Sequence, residues 1–289
     1  MHSEAPPDLL RWKVGDVSIC VIPEVDVELP ATMFFPTATI AEIADIGWLY
    51  PRFMTDNHDL KLRMQAFVVE TPDRLIVVDT CYGNDKQRPG DTNMLATPFL
   101  ERFGQAGYDP EKVDTVLCTH LHVDHVGWNT RLVGGKWVPT FPNARYLIAR
   151  VEHENWSPAD REMVGDYYTD SIQPIFDAGL VDLVETDHRV SPEVSLIPTP
   201  GHTLGHVSIV IASQGEEALI TGDFIHHPAQ LARPEWSAFI DHDGDRARET
   251  RLAVWEKLAG SDALLCGSHF MPPVAGRISK DGRGYKLIA

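Results

Sequence analysis

Thr119-His120-Leu121-His122-Val123-Asp124-His125-Val126-Gly127 is the stretch on which the reading of this chain turns. It follows a short apolar run, residues 113–118, that reads as a strand ending in polar side chains. His120 and His122 stand two apart, so an extended backbone sends both side chains to one side. Asp124 and His125 come directly after them, in a turn leading to Gly127. Three imidazoles and one carboxylate between 120 and 125 are ligand types suited to zinc, and no thiolate is supplied.

Reading outward, the same arrangement recurs. His202 follows the apolar run 194–197, in Pro200-Gly201-His202-Thr203-Leu204-Gly205-His206. Asp223 follows 218–220 in Thr221-Gly222-Asp223, and His269 follows 263–266 in Gly267-Ser268-His269. Each is a polar residue just past an apolar strand, and strand ends along one sheet edge can share a cleft. Further strands are expected at 17–22, 145–149 and 207–212, and at 65–69 and 75–78 across the turn Thr71-Pro72-Asp73. A helix is expected after Thr97 as N-cap and Pro98 at its first position, ended by Gly104 and Gly107. A second covers 245–259, with Leu252, Trp255, Leu258 and Ala259 on one face, and a third covers 158–176. Residues 28–60 read as irregular but rich in apolar side chains. They are either a loop packed on the core or a pocket wall or dimer contact.

Composition bounds the function. Hydrophobic content of 43% and charged content of 23% are ordinary for a globular chain of 289 residues. A net charge of −17 argues against nucleic acid or an anionic membrane as the main partner, because binding phosphate needs clustered Lys and Arg. Cys20, Cys81, Cys118 and Cys266 form no CxxC pair and are expected as buried free thiols of a reducing compartment. There is no apolar run of membrane-spanning length, and residues 1–8 lack a signal-peptide pattern, so a cytoplasmic protein is expected.

The ordered set HxHxDH, His, Asp, His resembles the metallo-β-lactamase superfamily, over about residues 65 to 275. Asp79, in Val78-Asp79-Thr80, matches that superfamily's early acidic position. The resemblance implies an α/β (α+β) fold, a single-domain four-layer αββα sandwich with its site at one edge of two sheets. It also implies two metal ions, zinc by expectation, with iron, manganese or cobalt also compatible with the carboxylates. On that pattern His120, His122 and His202 hold the first ion, Asp124, His125 and His269 the second, and Asp223 bridges them. Asp79 then orients a ligand imidazole. Residues 1–60 are expected as an N-terminal extension on the core and 61–289 as the catalytic domain.

Within the superfamily the chain is similar to the branch of N-acyl homoserine lactonases and methyl parathion hydrolase. The residues that carry this are the long segment before Gln65, the stretch 119–127, the run 149–156, and Gly222-Asp223-Phe224-Ile225-His226-His227-Pro228. Class B β-lactamases usually lack an acid like Asp223, and flavodiiron proteins carry an acid where His122 stands. Nucleases of the superfamily are basic, and glyoxalase II adds a helical domain where only about twenty residues follow His269. The branch implies hydrolysis of a lactone or carboxylic ester by a metal-bridging hydroxide, with Asp124 or His226 moving the proton. His226 stands where lactonases often carry a Tyr, and is either a donor in its place or a supporting or surface residue. The alternatives are a phosphotriesterase and a metal- or ligand-binding protein without turnover. Phe35, Trp48, Trp156, Tyr168, Phe224 and Phe270 are candidate walls for an apolar substrate arm, or plain core. His153, His206 and His227 are not counted as ligands. The expected partners are a small ester or lactone and a second copy of the chain in a homodimer.

Overall fold

In the computed structural model, which describes residues 9–155 and 166–288, β-branched and apolar runs become strands of two mixed sheets. The chain falls into two compact units. One runs to Val25 and resumes over Met64–Val184, and the other takes Asp26–Arg63 and the chain from Glu185 onward.

The first unit is built on β1 (Arg11–Val14), β2 (Val17–Pro30), β3 (Asp59–Glu70), β4 (Leu75–Val78), β5 (Thr115–Leu117), a hairpin of β6 (Thr130–Val133) and β7 (Lys136–Pro139), β8 (Arg145–Ala149) and β9 (Val181–Val184). Its sheet has the order β1-β2-β3-β4-β5-β8-β9, and the long strands β2 and β3 run on past the limits of the unit. β3 and β4 pair antiparallel across the expected turn, where the Thr71 hydroxyl accepts from the Asp73 and Arg74 amides. β4, β5, β8 and β9 are parallel. Their carboxyl ends therefore lie along one sheet edge, which is where open α/β sheets place ligands. Cys20, Phe99, Phe103, Phe141 and Tyr146 anchor the apolar core of this unit.

The second unit carries β10 (Val194–Pro198), β11 (Val207–Ser213), β12 (Glu216–Ile220), β13 (Leu264–Cys266), β14 (Ala275–Asp281) and β15 (Gly284–Ile288), adjacent in that order. β10 and β12 each run antiparallel to β11, and β12 pairs parallel with β13. All three share one direction, so the residues past their ends, including His202, Asp223 and His269, leave from one edge of the sheet. The parallel crossover from β12 to β13 runs through the helix Gly244–Leu258, capped by Asp243, whose carboxylate accepts from the Arg246 amide.

Four local expectations are corrected. The helix expected after Thr97 is Phe99–Gln105 with Pro98 at its cap, and no side chain caps it. The Thr97 hydroxyl instead meets Glu24 and Asn84. On Gly244–Leu258 the buried positions are Ala247, Thr250, Arg251 and Trp255, while Leu252 is 44% exposed. A buried arginine displaces the apolar stripe because its guanidinium is held by three backbone carbonyls and the Ser237 hydroxyl. Of the helix expected at 158–176, the described part is a wide π-turn at Tyr168–Ile172 followed by Gln173–Asp177. Pro174 has no amide to offer the Asp170 carbonyl, and Lys86 Nζ (3.2 Å) and the Thr130 hydroxyl donate to it instead. Residues 28–60 contain short helices at Ala31–Phe34 and Ile40–Ala44. Their apolar side chains share a core with Ala229, Trp236 and Ala238.

All four cysteines are free and buried. Among the described residues no helix is long and apolar enough to cross a membrane.

Candidate metal centre

Each unit carries a His/Asp cluster at the edge where its parallel strands end. In the first, Asp79 follows β4, Thr119 and His120 follow β5, and Glu152 follows β8. Asp79 Oδ1 accepts from the Thr119 amide (2.8 Å). Its Oδ2 accepts from the Thr119 hydroxyl (2.9 Å) and from His125 Nδ1 (2.8 Å). The Thr119 hydroxyl has one proton and gives it to Asp79, so its oxygen is left to accept from His120 Nδ1 at 3.0 Å. One buried carboxylate thus fixes two imidazoles, one directly and one through a hydroxyl, and directs the Nε2 lone pair of each away from it. Glu152 Oε1 accepts from the Leu121 amide at 3.1 Å, which holds the backbone between His120 and His122.

His122 is half-buried, its ring 4.6 Å from that of His120 and edge-on to it. Asp124 and His125 lie on the single helical turn Val123–Val126, with Asp124 Oδ2 3.8 Å from His125 Nε2. The turn is clamped to the strand-end loop before it. Thr80 N donates to His125 O, Gly127 N to Cys81 O and Trp128 N to Thr80 O. Gly127 permits this approach, since a Cβ there would stand 1.9 Å from the Tyr82 backbone.

In the second unit Asp223 sits among three imidazoles. His269 Nε2 is 3.0 Å from its Oδ1, His226 Nε2 3.3 Å from its Oδ2, and His202 Nε2 3.6 Å from its Oδ2. His202 Nδ1 meets Asp241 Oδ1 at 3.0 Å, and His269 Nδ1 meets the Arg63 carbonyl at 3.3 Å. His226 is 2% exposed, and neither ring nitrogen has a hydrogen bond among the described residues. Its ring lies between His202 (4.7 Å) and Phe34 (5.2 Å). The carboxylate that faces this buried ring is that of Asp223.

The three histidines set aside in the sequence have ordinary partners. His206 Nε2 accepts from the Asp223 amide at 2.7 Å, and its Nδ1 faces Thr199 at 2.8 Å. His227 Nε2 donates to the Phe53 carbonyl (2.8 Å) and its Nδ1 accepts from the Ala229 amide (3.1 Å). His153 packs against Phe176, the rings tilted by 34°.

Of the candidate pocket aromatics, Phe35, Phe224 and Phe270 have no exposure and sit in apolar clusters. Trp48 and Tyr168 are half-buried at the margins of theirs. Trp156 lies outside the described residues.

Sequence reasoning gave no role to Thr119, Glu152 and Asp241. Thr119 carried a local signal, a hydroxyl beside the first ligand. Asp241 carried none, standing thirty-nine positions from the histidine it contacts. The donor set fits divalent metal, because buried imidazoles held at Nδ1 and paired with carboxylates are what zinc-class ions bind.

Comparison with known proteins agrees with this chemistry. The family model described as Metallo-beta-lactamase superfamily matches residues 65–269. An N-acyl homoserine lactonase of Bacillus cereus is 28% identical over 176 residues, which are 56% of this chain and 63% of that protein. The N-acyl homoserine lactonase AiiA of Bacillus thuringiensis subsp. kurstaki is 27% identical over 186 residues, 59% of this chain and 67% of that one. The chain thus spans about two thirds or slightly less of these relatives. Among solved structures, the hydrolase AbOPH of the β-lactamase superfamily aligns with TM-score 0.81 and 26% identity, covering 97% of this chain and 96% of that one. AidC, a dizinc quorum-quenching lactonase solved with its product, shares the fold with TM-score 0.77 and 22% identity, covering 97% and 96%.

Proposed function

The chain belongs to the metallo-β-lactamase superfamily, and from that premise we propose that it is a dinuclear metal-dependent hydrolase that opens a lactone or a carboxylic ester. The lactonase relatives support the substrate class. The observation that carries the reading is the Asp79 carboxylate, which holds His125 at Nδ1 directly and His120 through Thr119. A core histidine needs only a satisfied ring. Two neighbouring histidines each tied at Nδ1 suit a site where both Nε2 atoms serve one purpose.

We assign His120, His122 and His202 to one ion, Asp124, His125 and His269 to the other, and Asp223 to both, with zinc as the expected metal. When bound, such a pair supplies Lewis acidity and a nucleophile available at neutral pH. The protein's own side chains do the rest. Asp124, with a side chain 17% exposed, accepts and returns a proton. His226 offers a ring N–H to the substrate oxygen.

The test is metal analysis of the purified protein followed by an activity panel of N-acyl homoserine lactones, aryl esters and phosphotriesters. We expect about two equivalents of metal and turnover of lactones or aryl esters. His120→Ala should remove turnover while the far-ultraviolet circular dichroism stays unchanged. Turnover of phosphotriesters alone would move the assignment to that class, and metal-loaded protein inert to the whole panel would overturn it.

A further inference from the structure

His202 is the histidine of the second cluster whose surroundings are most completely built. Its ring is fully buried, and its Nδ1 is 3.0 Å from Asp241 Oδ1, a carboxylate that is also fully buried. Asp241 Oδ2 accepts from the Ala238 amide at 2.9 Å and lies 3.8 Å from Arg251 Nη1. Arg251, on the buried face of Gly244–Leu258, spends its remaining donors on the segment leading to Asp241. Nε reaches the Pro234 carbonyl (3.2 Å), and Nη2 the Trp236 carbonyl (3.1 Å) and the Ser237 hydroxyl (3.2 Å). Nη1 reaches the carbonyl of Phe224, the residue after Asp223, at 3.1 Å.

The backbone of His202 is fastened to the same region. The His242 amide donates to the His202 carbonyl, the Asp243 amide to Gly201, and the Thr250 hydroxyl to Pro200. Gly201 (φ 134°) allows the helix to approach, since a Cβ there would be 2.2 Å from the Ala247 nitrogen.

We propose that Asp241, held by Arg251, is a positioning residue that fixes His202 as its Nδ1–H tautomer, so that Nε2 is presented as a metal ligand. The proposal rests on the metal-hydrolase reading and adds a residue that the ligand pattern does not contain. Two lone-pair sites of Asp241 face two N–H donors, and only a carboxylate can accept at both. In Asp241→Asn the amide oxygen stays on the side of the Ala238 amide and the Arg251 charge. The NH2 group then faces His202 Nδ1, and the ring must move its proton to Nε2, which can no longer bind an ion.

The first measurement uses the wild-type protein, metal-free, with 15N-labelled histidine. His202 should report the Nδ1–H tautomer, and Nε2–H would overturn the proposal even if Asp241→Asn failed to fold. The second is zinc titration of wild type and Asp241→Asn against a chelating competitor. Affinity for one of the two ions should fall by roughly 10–100-fold while the other is unchanged, with the melting temperature of the metal-free protein recorded alongside. If Asp241→Asn binds both ions as tightly as wild type, the positioning role is wrong and the hydrolase reading stands. If the wild type binds no metal, the hydrolase reading fails, and the tautomer measurement still decides what Asp241 does to His202.

Discussion

His227 is a histidine whose charge state is set by what each ring nitrogen faces. Nε2 donates to a carbonyl, so Nδ1 must remain an acceptor for the Ala229 amide. Protonation would set an N–H against an N–H at a fully buried position. Burial accordingly pushes its pKa down to about 4. Since the folded pKa lies below the ordinary value of about 6.5, the unfolded chain binds the extra proton first as pH falls. The contribution to stability is complete above about 6.5 and is lost progressively down to about 4. Wild type should therefore lose on the order of 2–3 kcal/mol more than His227→Gln between pH 7 and pH 4. Urea denaturation at a series of pH values reads this out, and parallel curves for the two proteins would refute it.

Between elements, the contact that matters most for the first cluster is the clamp between the loop after β4 and the turn bearing Asp124 and His125. Glu24 on β2 closes it from behind. Its buried carboxylate accepts from the Tyr82 and Gly83 amides (2.8 and 3.1 Å) and from the Trp128 indole (2.6 Å). Burial raises its pKa while these donors lower it. Glu24→Gln would turn an NH2 against N–H donors and should cost roughly 1–3 kcal/mol, read as a lowered urea midpoint at unchanged slope. A midpoint within error of wild type would show that the clamp does not depend on this carboxylate.

Much of this arrangement is legible in the sequence, and the parts that are not have a common cause. Strands at 75–78, 145–149 and 194–197 are announced by local apolar runs, and the ligands by their place just past such runs. Glu24, Asp241 and Arg251 act on residues far along the chain, and nothing adjacent to them betrays it. Leu252 and Arg251 exchange the roles that hydropathy assigns them, because hydrogen bonds to carbonyls of the folded chain outweigh the apolar preference. Pro174 was a readable signal of a helix break, but the lysine and threonine that take over the freed carbonyl were not.

For the molecule as a whole, a net charge of −17 makes bound divalent cations favourable beyond their local ligands. Metal that binds only the folded state also stabilises it. At a free concentration 100-fold above Kd the gain is about 2.7 kcal/mol per site, or several degrees in Tm. Dialysis against a chelator should lower the Tm, readdition of zinc should restore it, and His120→Ala should show a smaller rise. A Tm indifferent to zinc would count against any structural metal site.

The four sealed cysteines carry one more consequence. Burial raises the pKa of Cys20, Cys81, Cys118 and Cys266 alike, so the thiolate form is scarce and out of contact with the medium. Thiol-directed reagents find no exposed cysteine on the native surface. The rate at which the thiols react is then set by how often the protein opens, and the cysteine sulfurs record each opening.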